Sequence, residues 1–179
     1  MSLPHALLTS ILEKPSTGYE LARRFDKSIA YFWHATHQQI YRELAKMELA
    51  GWISATDIAG ARAGMRQYQV LAEGVSELQR WAASASKAMP LRDELMLKLR
   101  ADAAIGPLGL NAELQRLLEL HRQQLANYLV IRERDFSAKT LSRAAALQLQ
   151  ILNGGIAFEQ GRIAWLEQTL SLLEQDLAS

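Results

Sequence analysis

The sequence predicts a mainly α protein whose N-terminal part is α+β and whose C-terminal part is wholly helical. Residues 1–89 combine helix-starting Thr signals with two short runs rich in Trp, Ile, Tyr and Val, which are typical of strands. Beyond Pro90 the apolar residues follow helical spacing only, ending in a heptad repeat near the C-terminus. Pro90 therefore marks the predicted boundary between a domain of residues 1–89 and a domain of residues 90–179.

Composition excludes several classes of function. Apolar residues make up 49% and charged residues 22% of the 179 residues, which is typical of a folded protein with room for two small domains. The sequence has no Cys, which excludes disulfides, thiolate metal sites and cysteine nucleophiles, and its 4 His are scattered. We therefore expect no metal and no cofactor. No segment approaches the ~20 apolar residues of a membrane span, so a cytoplasmic protein is predicted.

Charge gives a weak indication about partners. The formal net charge is +1, with 10 Lys+Arg against 8 Asp+Glu in residues 1–89 and 10 against 11 in the remainder. Domains that bind nucleic acid are usually more basic. If this chain binds DNA, a few positioned cations and two copies of the domain must supply the affinity.

Capping signals place three helices in the first part of the chain. Thr17 followed by Glu20 has the capping-box spacing, and Thr36 followed by Gln39 repeats it. Apolar residues at helical intervals follow both signals. A further helix precedes them, with Pro4 in its first turn. The predicted helices run to Leu12 from the N-terminus, from Gly18 to Lys27, and from Thr36 to a stop at Gly51.

Residues 52–71 change to a strand-like character. The runs Trp52–Thr56 and Gln67–Leu71 flank a loop rich in Gly and Ala, which predicts a hairpin with a flexible tip. A helix through about Lys87 follows, and its predicted buried residues are Val75, Leu78 and Trp81.

This order of elements is the plan of a winged helix-turn-helix. In that fold the second helix enters the DNA major groove and the hairpin touches the neighbouring backbone. A DNA-binding regulator is therefore the leading hypothesis. The alternative is a winged-helix module that binds protein, since a fold does not fix a function. An enzyme is disfavoured because the sequence has no glycine-rich phosphate loop and no His-Glu-x-x-His run.

Several motifs resemble the PadR family of bacterial transcriptional regulators. They are Gly18–Leu21, Gln39–Leu44, Leu49–Ile53 and Arg66–Gly74. The chain departs from the family at Leu71 and Ala72, near a position where Thr is common. The leucine-rich second half is similar to the subgroup with a long helical C-terminal domain. The resemblance implies a homodimer held by C-terminal helices, a pseudo-palindromic operator, and repression relieved by a small molecule.

Candidate DNA contacts lie on the second helix of the helix-turn-helix, on the hairpin and at the start of the preceding helix. Gln pairs with adenine and Arg with guanine in the major groove, and cations on a wing reach phosphates or the minor groove. A solvated surface is the alternative for these side chains; capping is a second role for Gln39, and half-buried packing is an alternative for Tyr41. The candidates are Tyr19, His37, Gln38, Gln39, Tyr41, Arg42, Arg62 and Arg66.

The second part of the chain predicts three helices. They are expected from Leu91 to Ala103, from a cap at Asn111 to about Asp135, and from about Lys139 to Leu177. The last helix has one apolar heptad stripe, which is interrupted by Glu159. A unit of ~90 residues is not expected to cover so long a stripe, so we expect a helix of a second chain to pack on it. Gly154-Gly155 would kink this helix or allow a close crossing. The predicted dimerisation residues are Leu149, Leu152, Ile156, Ile163, Leu166, Leu170 and Leu173.

Large aromatic residues suggest an effector pocket between the two domains. Their alternative role is packing within the core, and His121 on an apolar stripe is likewise expected to be packed. The resemblance implies a small aromatic or lipophilic effector. The candidate pocket residues are Trp33, Trp81, Phe158 and Trp165.

Overall fold

The chain divides into two structural units, Met1–Ala88 and Met89–Ser179. The computed structural model describes residues 3–27, 35–58, 65–86, 91–138 and 140–176. None of the helices in these ranges is long and apolar enough to cross a membrane.

The first unit combines helices with a small antiparallel sheet of strand order β1-β3-β2. Ser16 lies opposite Tyr68, and Ile53 lies opposite Val70. This arrangement confirms the winged-helix fold that the sequence predicts. Its elements are α1 (Leu3–Glu13), β1 (Ser16–Thr17), α2 (Gly18–Lys27), α3 (His37–Leu49), β2 (Ile53–Asp57), β3 (Arg66–Val70) and α4 (Ala72–Ala82).

Both predicted capping boxes are confirmed. At α2, the Thr17 N–H donates to Glu20 Oε2 at 2.9 Å, and the Glu20 N–H donates to Thr17 Oγ1 at 3.2 Å. At α3, the Thr36 N–H donates to Gln39 Oε1 at 2.9 Å, and the Gln39 N–H donates to Thr36 Oγ1 at 3.2 Å. The pKa of Glu20 is lowered, mainly by the backbone hydrogen bond from Thr17. These local bonds satisfy amides that a helix start leaves unpaired.

The core of the first unit is formed where α1, α2 and α3 meet the sheet. Burial of each large apolar side chain in this core contributes roughly 1.5–3 kcal/mol to the stability of the fold. Leu12, where the first helix was predicted to end, lies in α1 and is 48% exposed. The core side chains, each at most 1% exposed, are Leu7, Leu8, Ile11, Leu21, Ala22, Phe25, Ile40, Leu44, Met47 and Ile53.

The fourth helix is shorter than predicted. It ends at Ala82 instead of about Lys87, because the hydroxyl and the N–H of Ser84 both bind the Trp81 carbonyl, at 2.6 and 3.0 Å. Val75 and Leu78 are half-buried, while Trp81 is 38% exposed, so its predicted burial is wrong. The Trp81 ring stacks instead on the His5 ring, with centroids 4.5 Å apart.

The second unit contains α5 (Glu94–Ile105), α6 (Asn111–Phe136) and α7 (Arg143–Asp176). The Asp93 carboxylate caps α5 by accepting from the Leu95 N–H at 2.9 Å. The predicted cap at Asn111 is wrong, since Leu110 occupies the N-cap position of α6 and makes no side-chain cap bond. Helix α7 runs for 34 residues without interruption at Gly154-Gly155.

Helices α6 and α7 pack against each other in antiparallel order. His121 Nδ1 lies 2.5 Å from Glu159 Oε2, and Tyr128 packs on Gly155, where an added Cβ would lie 3.1 Å from the ring. Leu114 and Leu118 of α6 form a core with Leu166 and Leu170 of α7. Gly155 thus permits a close crossing, and no kink is present.

This packing corrects one argument drawn from the sequence. The heptad stripe of α7 was expected to need a helix from a second chain, yet α6 of the same chain covers it. Ile156, Leu166 and Leu170 are at most 8% exposed. The remaining members, Leu149, Leu152, Ile163 and Leu173, are half-buried. We call these seven residues the inner stripe.

Candidate nucleic-acid interface

Helix α3 presents a polar face to solvent. His37, Gln38 and Arg42 are exposed, whereas Ile40 and Leu44 on the opposite side are buried in the core. Within the part of the chain that the structure describes, the side chain of Arg42 makes no hydrogen bond and no ion pair. The apolar side therefore fixes the helix, and the polar side remains available for a partner.

Gln39 differs from its neighbours because its side chain is engaged. Its amide oxygen accepts the Thr36 N–H, which confirms the capping role weighed from the sequence. The side chain is nevertheless exposed.

Tyr41 joins α3 to the start of α2. A Cβ placed on Gly18 would lie only 2.5 Å from Tyr41 Cε1, so the absence of a side chain at Gly18 lets the ring lie on the α2 backbone. Tyr41 remains 45% exposed. Burial raises the pKa of the neighbouring Tyr68. Because of this contact, a side chain at position 18 would displace the Tyr41 ring.

Basic and aromatic side chains surround the first turn of α2. Tyr19 is 61% exposed, and the Arg23 guanidinium lies 5.8 Å from its ring centroid. Arg24 donates to the Ser10 and Lys14 carbonyls, which ties α2 to the end of α1. An open depression of about 270 Å³ lies between these side chains. This surface adjoins a helix N-terminus, where backbone amides favour anions.

Of the two predicted hairpin cations, the structure describes Arg66. Arg62 lies outside the described residues. Arg66, expected as a wing cation directed at DNA, is bound in a salt bridge to Glu48, with Nη2 to Oε1 at 2.5 Å and Nη1 to Oε2 at 3.2 Å. This hydrogen bonding raises the pKa of Arg66. No pattern in the sequence indicates Glu48 as its partner.

Three of the four predicted effector residues, Trp81, Phe158 and Trp165, contact a neighbour inside their own unit. Trp81 stacks on His5, whose Nε2 lies 2.9 Å from Glu77 Oε1. Phe158 is 65% exposed and contacts His121 edge-on, with ring centroids 6.5 Å apart. The structure does not describe Trp33.

Trp165 belongs to a polar cluster of the second unit. The Arg162 guanidinium lies 4.5 Å from the Trp165 ring centroid, and Arg162 Nη1 lies 2.6 Å from Asp93 Oδ2. The cluster therefore holds the start of α5 against α7. Sequence spacing indicated the aromatic residue but not the ion pair.

A capped helix with an exposed polar face, seated on a preceding helix and followed by an antiparallel hairpin, defines the winged helix-turn-helix class. Residues 7–80 match the transcriptional regulator PadR-like family, and residues 91–174 match the family described as virulence activator alpha, C-terminal. A probable transcriptional regulator of Mycobacterium tuberculosis is 37% identical, across 98% of this chain and 99% of its own length. The chain belongs to the PadR-like family of transcriptional regulators, which confirms the resemblance.

Solved structures show the same fold over nearly the whole chain. The virulence activator AphA of Vibrio cholerae has a TM-score of 0.80 and 30% identity, covering 97% of this chain and 99% of that one. Bacillus subtilis PadR in complex with operator DNA has a TM-score of 0.84 and 24% identity, covering 96% and 98%. The same protein in complex with p-coumaric acid has a TM-score of 0.80 and 22% identity, covering 97% and 99%.

Proposed function

We propose that this chain is a homodimeric transcriptional repressor that binds a pseudo-palindromic DNA operator through α3 and is released by a small-molecule effector. The observation that carries the proposal is the exposed polar face of α3, held in place by the buried Ile40, Leu44 and Met47. A winged-helix neighbour of this chain was solved in complex with operator DNA.

Base reading is assigned to the first two turns of α3. Gln38 can pair with adenine and Arg42 with guanine, and His37 stands beside them on the same exposed face. Phosphate contacts are assigned to the exposed phenols of Tyr41 and Tyr19. Lys14 and Arg23, beside the α2 N-terminus, add cations along the same backbone. Few cations are needed if two copies bind together.

The dimer contact is assigned to the side of α7 that α6 leaves uncovered. Leu147, Ile151, Phe158 and Leu172 are between 52% and 65% exposed, and we call them the outer stripe. Ile151, Phe158 and Leu172 lie at multiples of seven residues, with the half-buried Trp165 at the heptad position between the last two, and Leu147 lies one turn before Ile151. At ~100° per residue, the two stripes lie roughly 150° apart around the helix. A row of exposed apolar side chains marks an interaction surface, and a second copy of α7 offers the same heptad spacing in return.

The proposed dimer determines the form of the operator. Two copies related by a two-fold axis present two α3 helices, so a pseudo-palindromic site with half-sites one helical turn apart is expected. Repression follows when such a dimer covers promoter DNA. Relatives include both a negative regulator of Bacillus subtilis and the activator of Vibrio cholerae, so a reporter gene must establish the direction.

An effector of small aromatic or lipophilic character is proposed from the exposed aromatic side chains. Trp81 is 38% exposed, so its ring offers apolar area to a ligand, and Phe158, at 65% exposure, does so where a second copy does not cover the outer stripe. Bacillus subtilis PadR was solved with p-coumaric acid. Thermal-shift screening of phenolic acids and lipophilic cations tests this part, and a true effector must also release the protein from DNA.

DNA binding is tested by gel shift on the promoter fragment beside the gene of this protein, with a salt titration. Arg42→Ala should relax base preference at one operator position and cost about 1–3 kcal/mol. Arg100→Ala, an exposed Arg on α5, is the control and should bind like the wild type. Absence of binding even at low salt would favour the protein-binding module instead.

The dimer is tested by light scattering after size-exclusion chromatography. Ile151→Glu places a charge in the outer stripe and should produce monomers with unchanged helix content. Gln150→Glu adds the same charge at the adjacent exposed position and should leave the dimer intact. A monomeric wild type at micromolar concentration would refute this assignment.

A further inference from the structure

We infer that Arg66 is a positioning residue, which fixes the hairpin against the recognition helix through Glu48, and that it does not contact DNA. The inference deepens the proposed function and depends on it. Glu48 is an acidic residue on the proposed DNA-reading helix, and its negative charge alone would oppose DNA binding. The inference gives it a favourable role in binding, which is to hold Arg66.

The geometry of the pair is that of a two-pronged salt bridge. Arg66 Nη2 lies 2.5 Å from Glu48 Oε1, and Nη1 lies 3.2 Å from Glu48 Oε2. Two parallel bonds between a planar guanidinium and a carboxylate fix orientation as well as distance. A single charge contact would leave the two elements free to rotate.

The pair lies where rotation would matter. Glu48 is in the last turn of α3, and Arg66 is the first residue of β3, paired with Asp57 at the loop end of the hairpin. Arg66 Nη2 also donates to the Ala55 carbonyl at 3.3 Å, which brings strand β2 into the same contact. The end of α3 is thereby joined to both strands of the wing.

The remaining guanidinium nitrogen also faces an acceptor. Arg66 Nε lies 4.0 Å from Asp57 Oδ1, at the end of β2. A phosphate that approached this guanidinium would compete with both carboxylates. The arrangement therefore favours a cation that holds protein to protein.

The two roles predict opposite signs for the same substitution. If Arg66 contacted phosphate, Glu48→Gln would remove a repelling charge and free the guanidinium, so DNA would bind more tightly. If Arg66 positions the wing, Glu48→Gln breaks the salt bridge and DNA should bind several-fold more weakly. The test is full-length protein on the promoter fragment, titrated at several salt concentrations.

Two further variants separate positioning from general damage. Arg66→Lys keeps the charge but loses the two-pronged geometry, so positioning predicts several-fold weaker binding with an unchanged salt slope. The exchange Glu48→Arg with Arg66→Glu restores the pair in reverse and should recover most of the loss. Circular dichroism confirms that each variant is folded.

The outcomes distinguish this inference from the function on which it depends. Tighter binding by Glu48→Gln, or wild-type binding by Arg66→Lys, would overturn the positioning role while leaving a DNA-binding protein. A salt slope reduced by about one in Arg66→Gln, which removes the charge, would restore the phosphate contact. A wild type that binds no DNA at low salt would overturn the proposed function and this inference together.

Discussion

The first unit closes a core on several sides and leaves apolar residues such as Leu49 exposed singly, whereas the second leaves a row of them exposed along α7. In the first, α1, α2, α3 and the sheet surround a core whose members are at most 1% exposed. In the second, α6 covers one side of α7, and on the other side Phe158 and Leu172 are 65% and 62% exposed. Helices and strands that pack from several directions bury a core on all sides. Two long helices that pack on each other bury only the faces between them.

The difference bears on how stability and assembly divide between the units. The inner stripe of α7 stabilises the chain itself, and the outer stripe is our proposed contact with a second copy. Substitutions on the two sides of one helix should therefore have different consequences.

Leu166→Ala should destabilise the protein most. Its side chain is fully buried, and truncating a buried Leu costs roughly 3 kcal/mol because it leaves a cavity. Leu172→Ala, at 62% exposure on the outer stripe, should cost less than ~1 kcal/mol in the chain and should weaken assembly instead. Urea unfolding at two protein concentrations distinguishes them. Equal losses that are independent of concentration would contradict the division.

Sequence reading succeeded where the interaction is local. Thr17 with Glu20 and Thr36 with Gln39 lie three residues apart, so their pattern alone fixes both helix starts. Heptad spacing also identified Ile156 and Leu166 as a buried face. Periodicity, however, shows only that a face is covered and not which helix covers it. For this reason the sequence did not identify α6 as the helix that packs on the inner stripe.

Sequence reading failed where two distant residues decide the structure. Arg66 next to a glycine-rich loop indicated a wing cation, but its partner Glu48 lies 18 residues away. Trp81 fits helical spacing, yet it lies at the end of α4 and stacks on His5 of α1. Such pairings are a product of tertiary packing, which no local pattern encodes.

Gly74→Ala should cost the next largest amount. A Cβ there would lie 2.2 Å from the Trp52 carbonyl oxygen, a backbone atom that the first unit holds in place by its bond to the Leu71 N–H at 2.9 Å. We expect a loss of about 1–3 kcal/mol, typical of overpacking.

Gly18→Ala is the matched control for that substitution. Its Cβ would meet the Tyr41 ring at 2.5 Å, but this half-exposed side chain can turn away. The loss should therefore be smaller than for Gly74→Ala, as measured by thermal unfolding. A larger loss at Gly18 would show that the Tyr41 contact is as rigid as the backbone.

Thr36→Ala should have a more moderate effect, of about 1 kcal/mol, because it removes one half of a capping box. Asn111→Ala should be nearly neutral, since α6 of the second unit begins without a side-chain cap bond. Chemical unfolding of both variants measures the contrast. A comparable loss from Asn111→Ala would place a cap at the start of α6 after all.

Acid should act on the two units through different carboxylates. A hydrogen bond from His5, together with Arg80, lowers the pKa of Glu77 from its ordinary 4.5. Burial alone would raise the pKa of Asp93, but the hydrogen bond and charge of Arg162 bring it below its ordinary 3.8. A carboxyl with a lowered folded pKa contributes stability that is present above its unfolded pKa and is lost as pH falls through the folded value.

The loss should therefore begin below about pH 4.5 for the Glu77 contact and below about pH 3.8 for the Asp93 contact. Glu77→Gln and Asp93→Asn should each be less stable than the wild type near neutral pH, with a difference that shrinks on acidification. Asn keeps a capping oxygen for α5, so Asp93→Asn isolates the ion pair with Arg162. Urea unfolding across this range measures both, and a difference that stays constant down to about pH 3 would rule out these carboxylates as the acid-sensitive contacts.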